Sequence, residues 1–270
     1  MSPLSTLFGA VVGVALGMTG GGGAILAVPL LVYGLKLPSR EAVSISLITV
    51  GASAVVGLVQ RIPRGTVEFR TGLLFAVAGM LTAPFGAWLS HRIPEAVLLL
   101  LFGGLMLVIA GRMLWTATRG AAASDCARPE DAGTACRRDP AGQLRLTSRC
   151  AGVLAGIGLT IGVLTGLFGV GGGIFIVPAL VAISGMEIQR AIGTSMLVVA
   201  LVSLTGIVSH LAEGLALPIP LAASFLLGGV LGMLAGTAVA RRIPPARLQQ
   251  VFAGVVLVMA VLVIVRELGS

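Results

Sequence analysis

Eight stretches of the chain run without a charged residue: 1–35, 42–60, 71–90 and 96–111, then 150–186, 191–212, 214–240 and 248–265. Most reach the roughly 17–25 residues that a helix needs to cross hydrocarbon, so the pattern predicts spanning helices. Two of them, 1–35 and 150–186, are too long for one span, and a glycine cluster interrupts each near its middle. Between the two sets lies 116–149, which holds ten of the 28 charged residues and reads as a solvated, flexible linker.

The two sets are copies of each other. A shift of 149 places Gly17-Met18-Thr19-Gly20-Gly21-Gly22-Gly23 on Gly166-Leu167-Phe168-Gly169-Val170-Gly171-Gly172. The same shift superimposes Pro29 on Pro178, Ala42 on Ala191, Ser46 on Ser195 and Gly57 on Gly206, and a shift of 150 then aligns Arg92-Ile93-Pro94 with Arg242-Ile243-Pro244. Such persistence points to an internal duplication. The division expected is a first transmembrane repeat over 1–115, a charged cytoplasmic linker over 116–149 and a second transmembrane repeat over 150–270. Each repeat has a glycine-broken or re-entrant first segment followed by three spanning helices, giving an all-α polytopic membrane protein.

Composition agrees. The chain is 57% hydrophobic and 10% charged, with mean hydropathy +1.07 and 39 glycines. Soluble domains carry about 25% charged residues, so a soluble enzyme is excluded. The net charge of +8 would suit a nucleic-acid binder, but the basic residues sit in short breaks between apolar runs, as the positive-inside rule produces. Cys126, Cys136 and Cys150 have no CxxC spacing and read as reduced thiols rather than a zinc site. No Lys or Arg precedes Lys36, so no charged signal-peptide region is expected.

The basic residues also bear on topology. If the broken segments cross, the linker end holds 11 basic residues against 7; if they fold back, it holds 14 against 4. The second count leans toward inverted repeats with a cytoplasmic linker.

Four consecutive glycines after Thr19 cannot continue a stable helix, and backbone groups freed inside hydrocarbon must find protein, water or ligand. A helix restarting near Ala24 and another near Gly173 would turn their first N–H groups into a polar cavity, and such ends attract anions. Close packing through pairs such as Gly13/Gly17 and Gly162/Gly166 is the competing explanation for part of the glycine content.

No Asp or Glu falls inside a span: Asp125, Glu130, Asp131 and Asp139 are in the linker, and Glu41, Glu68, Glu95, Glu187, Glu213 and Glu267 flank spans. Cation transporters and proton pumps place carboxylates within the membrane, so an anionic or neutral substrate is favoured. The second span of each half carries hydroxyls instead: Ser44, Ser46, Thr49 and Ser53, then Thr194, Ser195, Ser203 and Thr205. Hydroxyls in such helices more often bond their own backbone, which leaves the matched pair Ser46 and Ser195 as the stronger ligand candidates. His210, at a span end, is a candidate proton carrier. Tyr33, Trp88 and Trp115 fit aromatic belts. No catalytic residues, metal site or cofactor are expected, because no triad, HExxH, Walker loop or dinucleotide fingerprint has a usable context.

The two glycine clusters with Pro29 and Pro178, followed by Ala191-Ile192-Gly193-Thr194-Ser195, resemble the signature of the TauE/SafE sulfite exporter family, also called the toluene sulfonate uptake permease family. The resemblance covers about 8–115 and 150–266. It implies a secondary transporter of the plasma membrane that moves sulfite or an organosulfonate such as sulfoacetate, most simply outward, by alternating access. The substrate-binding residues it implies are Thr19, Gly20, Gly21, Gly22, Gly23, Ser46, Phe168, Gly169, Val170, Gly171, Gly172, Gly173, Thr194 and Ser195. Lipid surrounds such a protein, and protons and a second copy of the chain are conceivable partners. An anion channel and a membrane scaffold without transport are the rival readings.

Overall fold

The computed structural model describes residues 3–123, 137–138, 144–145, 148–184, 186–212, 218–240 and 245–268. The first half consists of α1 (Pro3–Thr19), α2 (Ala24–Pro29), which runs on as a π-turn over Leu30–Gly34, α3 (Ser39–Arg61), α4 (Phe69–Arg92) and α5 (Glu95–Ala123). The second consists of α6 (Ser148–Phe168), α7 (Gly173–Ser184), α8 (Ile188–Ala212), α9 (Ile219–Ala240) and α10 (Pro245–Leu268). Among the described residues the one departure from helix and turn is a two-residue antiparallel pair, Arg137–Arg138 with Leu144–Arg145. Helices α3, α4, α5, α6, α8 and α9 are long and apolar enough to cross a membrane. The chain is all-α and polytopic, as its hydropathy pattern predicts.

The breaks fall at the glycine clusters for a local reason. Gly20 follows the last turn of α1 with φ +76°, and its N–H still reaches Leu16 O at 2.8 Å. Gly169 does the same after α6, with φ +69° and an N–H bond to Thr165 O at 2.9 Å. A left-handed residue just past the helix end is the common glycine stop, since a side chain there would strain the backbone.

Packing contacts fix the helix directions. A Cβ on Gly9, Gly13 or Gly17 of α1 would overlap the backbone of α9 near Phe225, Gly229 and Met233 in turn. The numbers rise together, so α1 and α9 are parallel and in backbone contact. The matching glycines of α6, Gly158, Gly162 and Gly166, meet Phe75, Gly79 and Ala83 of α4 in the same way. Small residues every fourth position let membrane helices approach this closely. Gly51 faces Ser203 and Gly206 faces Leu47, so α3 and α8 are antiparallel, whereas Gly57 of α3 meets Met233 of α9 and Gly229 of α9 meets Thr49, so those two are parallel. It follows that α1 runs the same way as α3.

The overlong segment is therefore a hairpin. Gly23 packs back against Val12 and Leu16 of α1, and Gly34 against the ring of Phe8. In the second half Gly172 lies against Ile161 and Thr165 of α6, and Met186, just beyond α7, touches Thr194 near the start of α8. Each half has a long arm, a short returning arm and three further long helices, and the two halves enter from opposite ends. That is the geometry inverted repeats require. The long arm of each half leans on the second of the other half's three remaining long helices, α1 on α9 and α6 on α4, so the halves interlock.

The outer surface is apolar. On α4 Leu73, Val77, Leu81 and Phe85 form an exposed row, with Leu81 73% accessible, while Phe75, Ala76 and Ala83 on the opposite face are fully buried. An apolar row of this kind on a helix whose other face is also apolar is what lipid solvates.

Two expectations about the chain's centre meet different outcomes. Helix α5 continues to Ala123 and α6 begins at Ser148, and most of the charged segment 116–149, with its expected flexibility, lies outside the described residues. Cys150, expected as a reduced thiol, is buried in the first turn of α6 and disulfide-bonded, with its partner outside the described residues. Three cysteines within 25 residues of chain make short-loop closure available where spacing rules had suggested only free thiols.

Candidate functional site

Residues 20–29 and 169–173 are buried. The two breaks touch: a Cβ on Gly21 would lie 2.6 Å from Gly173 Cα, and the contact is reciprocal. Only glycine at both positions permits it, which explains why both clusters need more glycines than a helix stop alone. The breaks thus meet inside the protein, at the crossing of the two hairpins.

Each break is held by the opposite half. Ser46 on α3 donates its hydroxyl to Gly169 O at 2.8 Å. Ser195 on α8 donates to Gly20 O at 2.8 Å, and its hydroxyl also lies 2.8 Å from Ile192 O one turn back. The accepting carbonyls belong to the left-handed glycines that end α1 and α6, where a helix leaves carbonyls without partners. The matched serines therefore latch the break of the other half.

The breaks differ in how they are capped. Thr19 donates to Ala15 O at 2.7 Å and accepts from Gly23 N at 3.2 Å, bridging the end of α1 to the start of α2. The second break has Phe168 in the corresponding place, whose ring packs on Phe102 with centroids 5.5 Å apart and lines a small apolar crevice with Val28, Val43 and Leu98. Among the described residues, the N–H groups of Gly21, Gly22, Val170, Gly171, Gly172 and Gly173 meet no hydrogen-bond acceptor. Buried unpaired amides of this number are uncommon, and together with the start of α7 they make a locally positive region with nothing acidic beside it.

Of the residues predicted from sequence, Thr19, Gly20–Gly23, Phe168, Gly169–Gly173, Ser46 and Ser195 converge on these breaks. Thr194 does not. Its hydroxyl accepts Glu68 N–H at 3.0 Å and so caps the start of α4, at the linker end of the bundle. Several other hydroxyls return to their own helix, Ser44 to Arg40 O at 3.2 Å and Thr205 to Val202 O at 2.8 Å. Thr49, Ser53 and Ser203 are buried hydroxyls without a hydrogen-bond partner. None of the three has a hydroxyl at the matching position of the other half, Val198, Val202 and Ala54, so the match that marks Ser46 and Ser195 passes over them. His210 is 1% exposed, and its Nε2 lies 3.2 Å from Gly166 O, so Nε2 carries the proton and covers a carbonyl in the last turn of α6. The ring of His91 sits 5.5 Å from it. Among the described residues no cluster of His, Cys, Asp or Glu suited to a metal is found.

The far end of the bundle is tied by side chains. Glu95 accepts both the N–H and the hydroxyl of Ser39. Arg40 donates to His91 O at 3.0 Å, and Tyr33 donates to Glu267 at 2.9 Å, pinning the returning arm of the first hairpin to the end of α10.

The sequence profile described as "Sulfite exporter TauE/SafE" matches residues 5–263. The chain belongs to the TauE/SafE family. A probable membrane transporter protein of Xylella fastidiosa is 33% identical over 97% of this chain and 94% of its own length. The probable membrane transporter protein YunE of Bacillus subtilis is 27% identical over 77% of each chain, and a probable membrane transporter protein of Methanocaldococcus jannaschii is 26% identical over 77% of this chain and 72% of its own. No solved structure matches. This TauE/SafE member is a multi-pass membrane protein of a transporter family, and the family profile spans both hairpins and all the spans that hold them.

Proposed function

We propose that this TauE/SafE protein exports a small sulfur oxyanion, sulfite or an organosulfonate such as sulfoacetate, across the plasma membrane by alternating access around its two helix breaks. The observation that carries the reading is the set of unpaired amides at Gly21–Gly22 and Val170–Gly173, buried where the hairpins meet. An oxyanion accepts several N–H bonds at once, and the partial positive charge at the start of α7 adds about 0.3–1 kcal/mol of attraction, more where water is excluded. The spans supply no carboxylate that would favour a cation.

The interlocked packing bears on how access would alternate. Because α1 rides on α9 and α6 on α4 through backbone contact, two halves rocking as sequence-contiguous bodies would tear those seams. Units composed of one hairpin with the helix of the opposite half that it rides on, α9 or α4, keep them intact. The hairpins of the two units meet at the Gly21–Gly173 contact, while the serine latches tie α3 to the second hairpin and α8 to the first.

The test is uptake of labelled sulfite into proteoliposomes, with empty liposomes as reference and a panel of sulfonates beside it. Saturable flux with counterflow supports the transporter; non-saturating flux without counterflow indicates a channel. Gly171→Ala would force a left-handed backbone onto a side chain and press Val50, so flux should collapse. Flux no faster than through empty liposomes for every anion removes the reading.

A further inference from the structure

Ser203 stands apart from the other hydroxyls of α8. It is fully buried and makes no hydrogen bond, not even to the carbonyl one turn earlier that Ser209 uses at 2.9 Å. A serine that leaves both its own helix and its neighbours unbonded inside an apolar bundle loses its hydration without recovering a hydrogen bond, so its position calls for a partner.

The surroundings say where that partner would lie. Opposite Ser203 on α3 is Gly51, which lets the two helices close on each other there; a Cβ on Gly51 would sit 3.0 Å from Ser203 Cβ. On the remaining side is the second break: Ser203 Oγ is 3.6 Å from the place a Cβ of Gly171 would occupy, beside the methyl groups of Val50 and Val199 that pack there. The unpaired amides of Gly171, Gly172 and Gly173 lead from there into α7, a helix of 12 residues. A donor hydroxyl without a partner and a run of donor amides that meet no acceptor among the described residues thus lie side by side on two elements, among apolar neighbours.

We propose that Ser203 is a substrate-coordinating residue, its hydroxyl forming with the Gly171–Gly173 amides an oxyanion subsite at the second break. The inference rests on the transport reading above and narrows it: the position matching Ser203 in the first repeat is Ala54, so the coordination is one-sided and a single oxyanion binds against the second hairpin. The ligand class is a compact anion with at least two free oxygens on one centre, as sulfite and sulfonates have.

The experiment measures sulfite binding and concentration-dependent flux for the wild type, Ser203→Ala, Ser203→Cys and Ser203→Thr in liposomes, with thermal unfolding of each. Ser203→Ala and Ser203→Cys should weaken sulfite binding roughly 10- to 100-fold, the effect of losing one hydrogen bond to a charged group. Their unfolding temperature should hold or rise, because an unsatisfied buried hydroxyl has been removed. Ser203→Thr, which keeps the hydroxyl, should stay within a few-fold of wild type. Wild-type affinity in both Ser203→Ala and Ser203→Cys, with sulfite still transported, overturns the subsite and leaves the transporter reading standing. A wild type that neither binds nor moves sulfite or any sulfonate overturns both. Should Ser203→Ala fail to fold, the near-isosteric Ser203→Cys gives the same reading.

Discussion

Ser195 of the second half donates its hydroxyl to the carbonyl of Gly20 in the first, across 175 positions of sequence and 2.8 Å of space. Ser46 and Gly169 make the same bond in the opposite sense. Each latch holds the carbonyl that a left-handed glycine turns away from its own helix. Removing one leaves a buried carbonyl unpaired, so Ser46→Ala should lower stability by about 1–3 kcal/mol. Ser195→Ala should cost less, because that hydroxyl is shared with Ile192 O. Thermal unfolding in detergent measures both; equal wild-type stability in the two variants would show the latches to be energetically idle.

The glycine row of α6 gives a comparison within one helix. A Cβ on Gly162 would run into Gly79 O and Thr82 of α4, whereas one on Gly156 would meet nothing within 4 Å. Gly162→Ala should therefore destabilise by about 1–3 kcal/mol through overpacking. Gly156→Ala should be neutral or stabilising by up to about 1 kcal/mol, since alanine is the better helix former. Chemical denaturation in mixed micelles reads the difference, and its sign is the informative quantity.

Much of this architecture is legible in the sequence, and the part that is not has a physical cause. Apolar length locates the spans, and the glycine clusters locate the hairpin turns because a helix stop is a local matter of backbone conformation. The match between Ser46 and Ser195 marks them as a pair, but a residue type does not name its acceptor, and both acceptors lie in the other repeat. Thr194 was grouped with Ser195 as its neighbour in sequence; one helical step of about 100° turns it toward Glu68 instead. Ser203 has no repeat counterpart, so pattern matching passes over the hydroxyl that the bundle leaves unbonded.

The two histidines of the chain are 119 positions apart and meet at the end of α6. His210 supplies the N–H that the Gly166 carbonyl lacks where the helix stops. His210→Leu keeps the bulk and removes the donor, and should cost about 1–3 kcal/mol. His91→Phe keeps the ring contact and should cost clearly less. If unfolding shows the reverse order, the carbonyl is satisfied by something other than His210.

Helix directions assign the basic residues to ends. Lys36, Arg40, Arg92 and Arg266 share one end; Arg61, Arg64, Arg70, Arg112 and Arg190 lie at the other, where the sequence adds the linker arginines with Arg241, Arg242 and Arg247, giving 14 against 4. By the positive-inside rule we propose that the linker end faces the cytoplasm. The disulfide of Cys150 points the other way, because such bonds persist mainly in oxidising compartments. The arginines carry more weight, since orientation is set during insertion by charges near the helix ends, before any thiol can pair. In a version with its three cysteines replaced by serine, Pro94→Cys should react with a membrane-impermeant maleimide added to intact cells, and Arg64→Cys only after the membrane is opened. The opposite labelling would invert the protein in the membrane and make the disulfide, rather than the arginine bias, the better guide to its orientation.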